Sequence, residues 1–260
     1  SVNWRVGDQK FGQAVLNAAR SGMLSVNAYL PQAPPSTIRI YVYQNPRDLQ
    51  SALLFNQHTW VAGHTSPHLG VILVSITPGL DQQLEMERQI PHELAHIALY
   101  QLTGSTAYDH LPAWLNEGVS SLAELNPNSE YRIALERSAS SGHIIPMENL
   151  CASFPTDASS AFLAYAQSAS FIRFYFQKFG VTGLAALINQ YKNGVGCLEG
   201  VQSASGVSLA QLQSRWQNEI LGINTASVAL QNLAPYLAIA AILLLIPLSL
   251  GLRAFFRPRP

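Results

Sequence analysis

His92 and His96 stand four residues apart in the run Pro91-His92-Glu93-Leu94-Ala95-His96, and that spacing constrains the fold more than anything else in the chain. On an α-helix, positions i and i+4 share a face, so both imidazoles project the same way and can reach one cation. Glu93 lies one residue further round, where its carboxylate can reach a water on that cation. A catalytic zinc site takes three protein ligands and leaves a fourth position open. Glu117, in Trp114-Leu115-Asn116-Glu117-Gly118, is the third ligand this pattern asks for. Its segment reads as a second helix, because Pro112 suits a first turn and Ala113 to Leu125 holds no breaker except Gly118. The expected set is one Zn2+ per chain on His92, His96 and Glu117, with Glu93 as general base. An HExxH run alone also arises on the solvated face of long helices; the second segment lifts the pattern above that background.

The two segments resemble the zinc site of the gluzincin metallopeptidases, which pair HExxH with a glutamate in a downstream (W)LNEG segment. The likeness is close over His92 to Leu125. The wider layout, from Asn3 to Leu221, resembles a small family of bacterial membrane-associated, peptidase MA-like domains. That resemblance implies an α+β zincin-like domain, with a small N-terminal sheet, an active-site helix and a mostly helical C-terminal half. It implies hydrolysis of peptide bonds by a zinc-activated water, with Glu93 taking the proton and passing it to the leaving amine. It also implies an oxyanion donor from the helical half. Tyr165, in Ala164-Tyr165-Ala166-Gln167-Ser168, is the first choice, with His143 and Tyr175 behind it and a plain core tyrosine as the alternative. Zincins pair an extended substrate with an edge strand ahead of the zinc helix, and Gly70 to Ser75 holds that place here, unless it is an ordinary core strand. Gluzincin aminopeptidases carry a glutamate there in a GAMEN-like motif; the absence of one points to an endopeptidase acting on protein or peptide substrates. The alternative from another class is a non-catalytic binding or assembly domain at the cell surface, which leaves an intact Glu93 unexplained. A structural zinc site suits the open His/His/Glu set less well.

Metal-bound histidines need acceptors for their other ring nitrogen. Ser121 and Glu124 follow Glu117 on one helix face, and Glu124 is placed to orient His92 or His96, or else is an exposed carboxylate. His58, His64, His68 and His110 have no ligand spacing; His64 and His68 read as loop residues because Pro67 lies between them.

Along the chain, Asp8 to Ala28 reads as a helix capped by Asp8, and Thr37 to Tyr43 as a strand. Asn45-Pro46 opens a short helix, and Leu69 to Ile76 reads as a second strand. The motif helix, Asp81 to Leu102, contains Pro91, so a kink there or a start near it is expected. This departs from zincins, which avoid proline in the flank of HExxH. Asp157 to Phe179 is a long helix ending at Gly180, followed by Thr182 to Lys192. Ser208 and Gln211 form a capping box for a helix to Leu221. Ser203 to Ser205 and Asn224 to Ser227 read as linkers.

Charged residues make up only 12% of the chain, and none lies between Ile220 and Leu252. Leu233 to Leu252 is long and apolar enough to span a bilayer, with a buried core helix as the alternative. Arg253, Arg257 and Arg259 follow at once, which puts a 253–260 tail in the cytoplasm and the zincin-like domain, 1–222, outside, joined through a 223–232 linker. That topology calls for an export signal, either removed or lying ahead of the sequence read here. Without the three tail arginines, twelve basic side chains meet fifteen acidic ones, about −3; with no basic stripe, nucleic acid is excluded as a partner. Cys151 and Cys197 lack CxxC spacing. Outside the cytoplasm they are expected to form a disulfide closing about 47 residues, worth roughly 4 kcal/mol; two buried thiols are the alternative.

Overall fold

The computed structural model describes residues 1–31, 36–53, 63–223, 233–237, 239–243 and 245. Its sheet has four strands, β1 (Val2–Trp4), β2 (Arg39–Tyr43), β3 (Gly63–Ser66) and β4 (Val71–Ser75), in the order β1-β2-β4-β3. The first three in that order run parallel, and β3 closes one edge antiparallel to β4. Parallel neighbours need crossovers. Helix α1 (Gln9–Tyr29) links β1 to β2, and α2 (Pro46–Leu53) begins the return to β4. Both start where the sequence signals it. Asp8 Oδ1 accepts from the Phe11 N–H at 3.0 Å, and Asn45 Oδ1 accepts from the Asp48 N–H at 3.0 Å.

The strand expected over Leu69 to Ile76 is β4, but it is not a sheet edge. β2 flanks it on one side and β3 on the other. The edge strand, Gly-His-Thr-Ser, has no alternation of apolar residues and so no period-two signal. It is a strand because β4 supplies its ladder, with Gly63 opposite Val74 and Ser66 opposite Val71.

Helix α3 (Gln82–Thr103) is one continuous helix with Pro91 inside it, where a kink or late start was expected. An interior proline removes a hydrogen bond and crowds the preceding turn, costing about 3 kcal/mol. Two contacts offset this. The pyrrolidine ring packs on Gly22 of α1, where a Cβ would come within 2.9 Å of it. The Glu87 carbonyl, which residue 91 has no N–H to reach, accepts instead from the Leu125 N–H at 2.9 Å. From Ile90 to Leu99 every residue of α3 but His92 is buried, so a polar side chain there must find partners.

The rest is helical: α4 (Ser105–Tyr108), α5 (Ala113–Ala123), α6 (Glu130–Ser141), α7 (Ala158–Lys192), α8 (Cys197–Ser205) and α9 (Leu209–Ile220). The run α7 breaks at Gly180, whose φ of 63° and ψ of −166° are non-helical, as the expected pair of helices requires. The capping box forms, with the Gln211 N–H on Ser208 Oγ and the Ser208 N–H on Gln211 Oε1, both 3.2 Å. Ser203 to Ser205, expected as a linker, instead finish α8, because Ser205 Oγ bonds back to the Val201 carbonyl at 2.7 Å. Helix α5 lies close on α7. Any Cβ at Gly118 would overlap Ile172 and the Ser168 carbonyl. Trp114, wholly buried, meets Phe171 edge-on at 5.4 Å; truncating such a side chain typically costs about 3–5 kcal/mol.

Cys151 and Cys197 are bonded, with Cα atoms 6.0 Å apart. The bridge borders the start of α5: the Cys151 carbonyl accepts from the Ala113 N–H at 3.0 Å, and Trp114 Nε1 donates to Cys197 Sγ at 3.3 Å.

The chain divides into two compact units, Ser1–Gln213 and Ser214–Pro260. The second contains helical residues 233–237 and 239–243, with Leu233, Leu237, Ile239 and Leu243 exposed. Among the described residues no helix is long and apolar enough to cross a membrane. The expected span over Leu233 to Leu252 falls in part outside the described residues, and residues 224–232 of the expected linker and the arginine tail fall wholly outside them.

Candidate metal centre

Helix α3 turns His92, Glu93 and His96 toward a cleft of about 400 Å³. Helix α5 crosses it and delivers Asn116 and Glu117. The side-chain ligand atoms of His92, His96 and Glu117 lie within 4.8 Å of one another, close enough to share one ion. His92 Nε2 is 3.2 Å from Glu117 Oε2, and His96 Nε2 is 3.7 Å from the same oxygen. Both Nε2 atoms thus face one carboxylate, and both Nδ1 atoms face away from it toward other partners. Glu124 Oε1 is 3.0 Å from His92 Nδ1. Asn116 Oδ1 and Ser120 Oγ stand 3.0 and 3.1 Å from His96 Nδ1. An acceptor on Nδ1 fixes the tautomer that leaves Nε2 free to ligate. Two imidazoles and a carboxylate with supported far sides are a donor set that fits zinc.

The charges fit as well. Burial alone would lower the His92 pKa, but its hydrogen bonds to Glu117 and Glu124, and their charges, hold it well above the ordinary histidine value. Burial raises Glu117, yet the nearby His96 and the His92 bond bring its carboxyl below the usual value. The pocket therefore favours a positive charge between these groups.

Glu93, 7% exposed, is held from the sheet side. Thr65 Oγ1 of β3 donates a short hydrogen bond to Glu93 Oε2 and lies 3.3 Å from the Glu93 carbonyl. Gly63 of the same strand faces the other oxygen, and a Cβ there would overlap Oε1. The edge strand at the cleft is therefore β3, not the Gly70 to Ser75 strand expected from the sequence.

Tyr165 of α7 lines the cleft, its phenol raised first by burial and then by the Glu117 charge, so it stays protonated. The two weaker candidates do not reach the cleft. Tyr175 is wholly buried and donates to the Gly183 carbonyl at 3.3 Å, and His143 is exposed just past the end of α6. Gly63, Thr65, Tyr108 and His64 line the cleft with no role foreseen from the sequence. Tyr108 of α4 sits 3.3 Å from His96 Nδ1, and its only sequence signal was its place between the two motif segments. His64, read as a loop residue, lies on β3 and lines the cleft; burial, more than the opposing Glu93 charge, lowers its pKa. Ser121, expected beside Glu124 as a partner, has its hydroxyl buried without a hydrogen bond among the described residues, and its neighbour Ser120 makes the histidine contact.

Comparison with curated proteins returns no match. The sequence model of the Peptidase MA superfamily matches residues 18–222, a stretch that takes in the sheet from β2 onward and every residue of the cleft. With the paired imidazoles and the carboxylate already brought together inside that stretch, it forms an MA-type metallopeptidase-like domain, and the chain belongs to the Peptidase MA superfamily.

Proposed function

We propose that the protein is a zinc-dependent endopeptidase with His92, His96 and Glu117 as metal ligands, Glu93 as general base and Tyr165 as oxyanion donor. The observation that carries the reading is the convergence of the three ligand atoms beside a glutamate whose carboxylate is held by Thr65. Bound zinc acidifies water and polarises a carbonyl. The chain's own residues do the rest. With Oε2 held by Thr65, Glu93 takes a proton on Oε1 and returns it to the leaving amine. Tyr165, a protonated phenol in the cleft, donates to the oxygen on which charge develops. The outer edge of β3, the last strand of the sheet among the described residues, pairs with an extended peptide. Endopeptidase action is supported by a second groove of about 930 Å³ between α6 and α7, with Ile133 and Phe162 in its lining, which shares Tyr165 with the cleft. A peptide extending past the scissile bond on the Tyr165 side has room there.

Cleavage of a broad peptide library by the metal-loaded protein, with a chelated sample beside it, tests this. Cleavage that stops on chelation and returns with zinc is expected. No cleavage by the loaded protein under any condition would turn the assignment to a binding domain. Gly63→Ala is a sharper probe. Its methyl group displaces Glu93 Oε1, and a misplacement of about 1 Å costs on the order of 10²-fold in rate. Metal content should stay at the wild-type value; wild-type turnover in this variant would remove β3 from the positioning of Glu93.

The uncharged run Leu233 to Leu252 supports a membrane anchor. Arg253, Arg257 and Arg259 would hold the tail in the cytoplasm, because arginine at the bilayer centre costs roughly 2.5–3.5 kcal/mol on insertion scales. The peptidase domain then works outside the membrane. Protease added to intact cells should digest that domain and spare a tag after Pro260; the reverse pattern would invert the topology.

A further inference from the structure

Pro91 is the least expected residue in α3, and its consequence appears across the helix pair. In an unbroken α-helix the Glu87 carbonyl would accept from residue 91. Proline has no N–H to give. The acceptor left over is taken by the Leu125 N–H at 2.9 Å, a bond from the motif helix to the segment that follows α5.

That bond falls one residue after Glu124. Helix α5 ends at Ala123, and Glu124 already has non-helical backbone angles, φ −57° and ψ 126°. Its backbone is thus no longer set by the helix. Its buried side chain has one hydrogen-bonding contact among the described residues: Oε1 meets His92 Nδ1 at 3.0 Å, while Oε2 has no hydrogen-bond partner there. The Leu125 N–H anchors the backbone next to the one from which the Glu124 carboxylate reaches His92. His92 is the residue immediately after Pro91, so the proline that frees the carbonyl and the histidine that receives the carboxylate are neighbours in the chain.

We propose that Pro91 is a positioning residue of the metal centre. By withholding an N–H from Glu87 it opens an acceptor that clamps the end of α5, and the clamp holds Glu124 on His92 Nδ1. The proposal rests on the reading of His92 as a metal ligand. It gives the proline a role that helix packing does not supply. A proline serving only to fill the space at Gly22 would affect folding and leave metal affinity alone.

Two substitutions remove the clamp from opposite ends. Pro91→Ala returns an N–H to α3 that competes for the Glu87 carbonyl. Leu125→Pro deletes the donor, and the Glu124 ψ of 126° is already out of the helical region and in the range a residue before proline adopts. Zinc affinity is measured by competition with a chromogenic chelator, and the melting temperature of each protein without metal is recorded beside it. Loss of an outer partner of a metal-bound histidine lowers affinity about 10–100-fold. Both variants should therefore lose about tenfold in zinc affinity. The metal-free Pro91→Ala protein should melt no lower than wild type, since an alanine suits a helix interior better. In a Glu124→Ala background neither substitution should lower affinity further. Wild-type affinity in Pro91→Ala and Leu125→Pro overturns the clamp, as does a loss that persists undiminished without Glu124. If one variant fails to fold, the other decides. A wild-type protein that binds no zinc fails the metal reading itself, an outcome distinct from normal wild-type binding with unaffected variants.

Discussion

Glu93→Gln is expected to lose peptide hydrolysis by about 10³-fold or more while keeping its zinc and its melting temperature. Glutamine matches glutamate in size, so the buried position stays filled and no cavity opens. Its amide oxygen can still accept the hydrogen bond that Thr65 Oγ1 gives to Oε2. The amide cannot take up a proton at neutral pH, and that is the one function withdrawn. Gly63 sets the geometry of the test, because no side chain stands between β3 and the replaced atom. The measurement pairs initial rates on a cleaved peptide with metal analysis of the same samples. Equal rates in the two proteins would take Glu93 out of the mechanism. A variant that also loses its metal would show that Glu93 helps hold the ion.

Glu117→Ala is expected to lower zinc affinity by more than the 10–100-fold that accompanies loss of an outer partner such as Glu124. The substitution leaves His92 Nε2 and His96 Nε2 facing a space from which the carboxylate oxygen, now 3.2 and 3.7 Å from them, has gone. It also removes one of the two carboxylates that favour positive charge at His92. Ranking Glu117→Ala against Glu124→Ala by chelator competition separates a ligand from a supporting residue. Stoichiometric zinc at wild-type affinity in Glu117→Ala would mean that the third ligand is another group.

The contrast between α3 and β3 shows why some of this protein could be read in one dimension and some could not. Helix periodicity is a local property. It placed His92 and His96 on one face, began α1 at Asp8 and opened α9 with the Ser208–Gln211 box, because each of these depends on residues within one or two turns. The break at Gly180 belongs to the same class, since a left-handed φ is a property of one residue. The pairing of Cys151 with Cys197 needed no more than there being two cysteines in the chain.

Strand β3 has no such local signature. Gly63 to Ser66 becomes a strand only because β4 offers a ladder, and it matters only because the sheet brings it against Glu93. His64 and Tyr108 likewise enter the cleft by tertiary placement, from segments with no motif of their own. Pro91 shows the limit most directly. Its local rule, a kink or a helix start, holds when the freed carbonyl has nothing to bond. Here the Leu125 N–H arrives from more than thirty residues away and Gly22 of α1 makes room for the ring, so the helix runs on. The sequence by itself determined which atoms can hold a metal and which helix faces carry them, because those depend on side-chain chemistry and a 3.6-residue repeat. Only the tertiary structure decided which strand borders the cleft, which of the two histidines Glu124 supports and how a proline survives beside it, because those depend on hydrogen-bond partners distant in the chain.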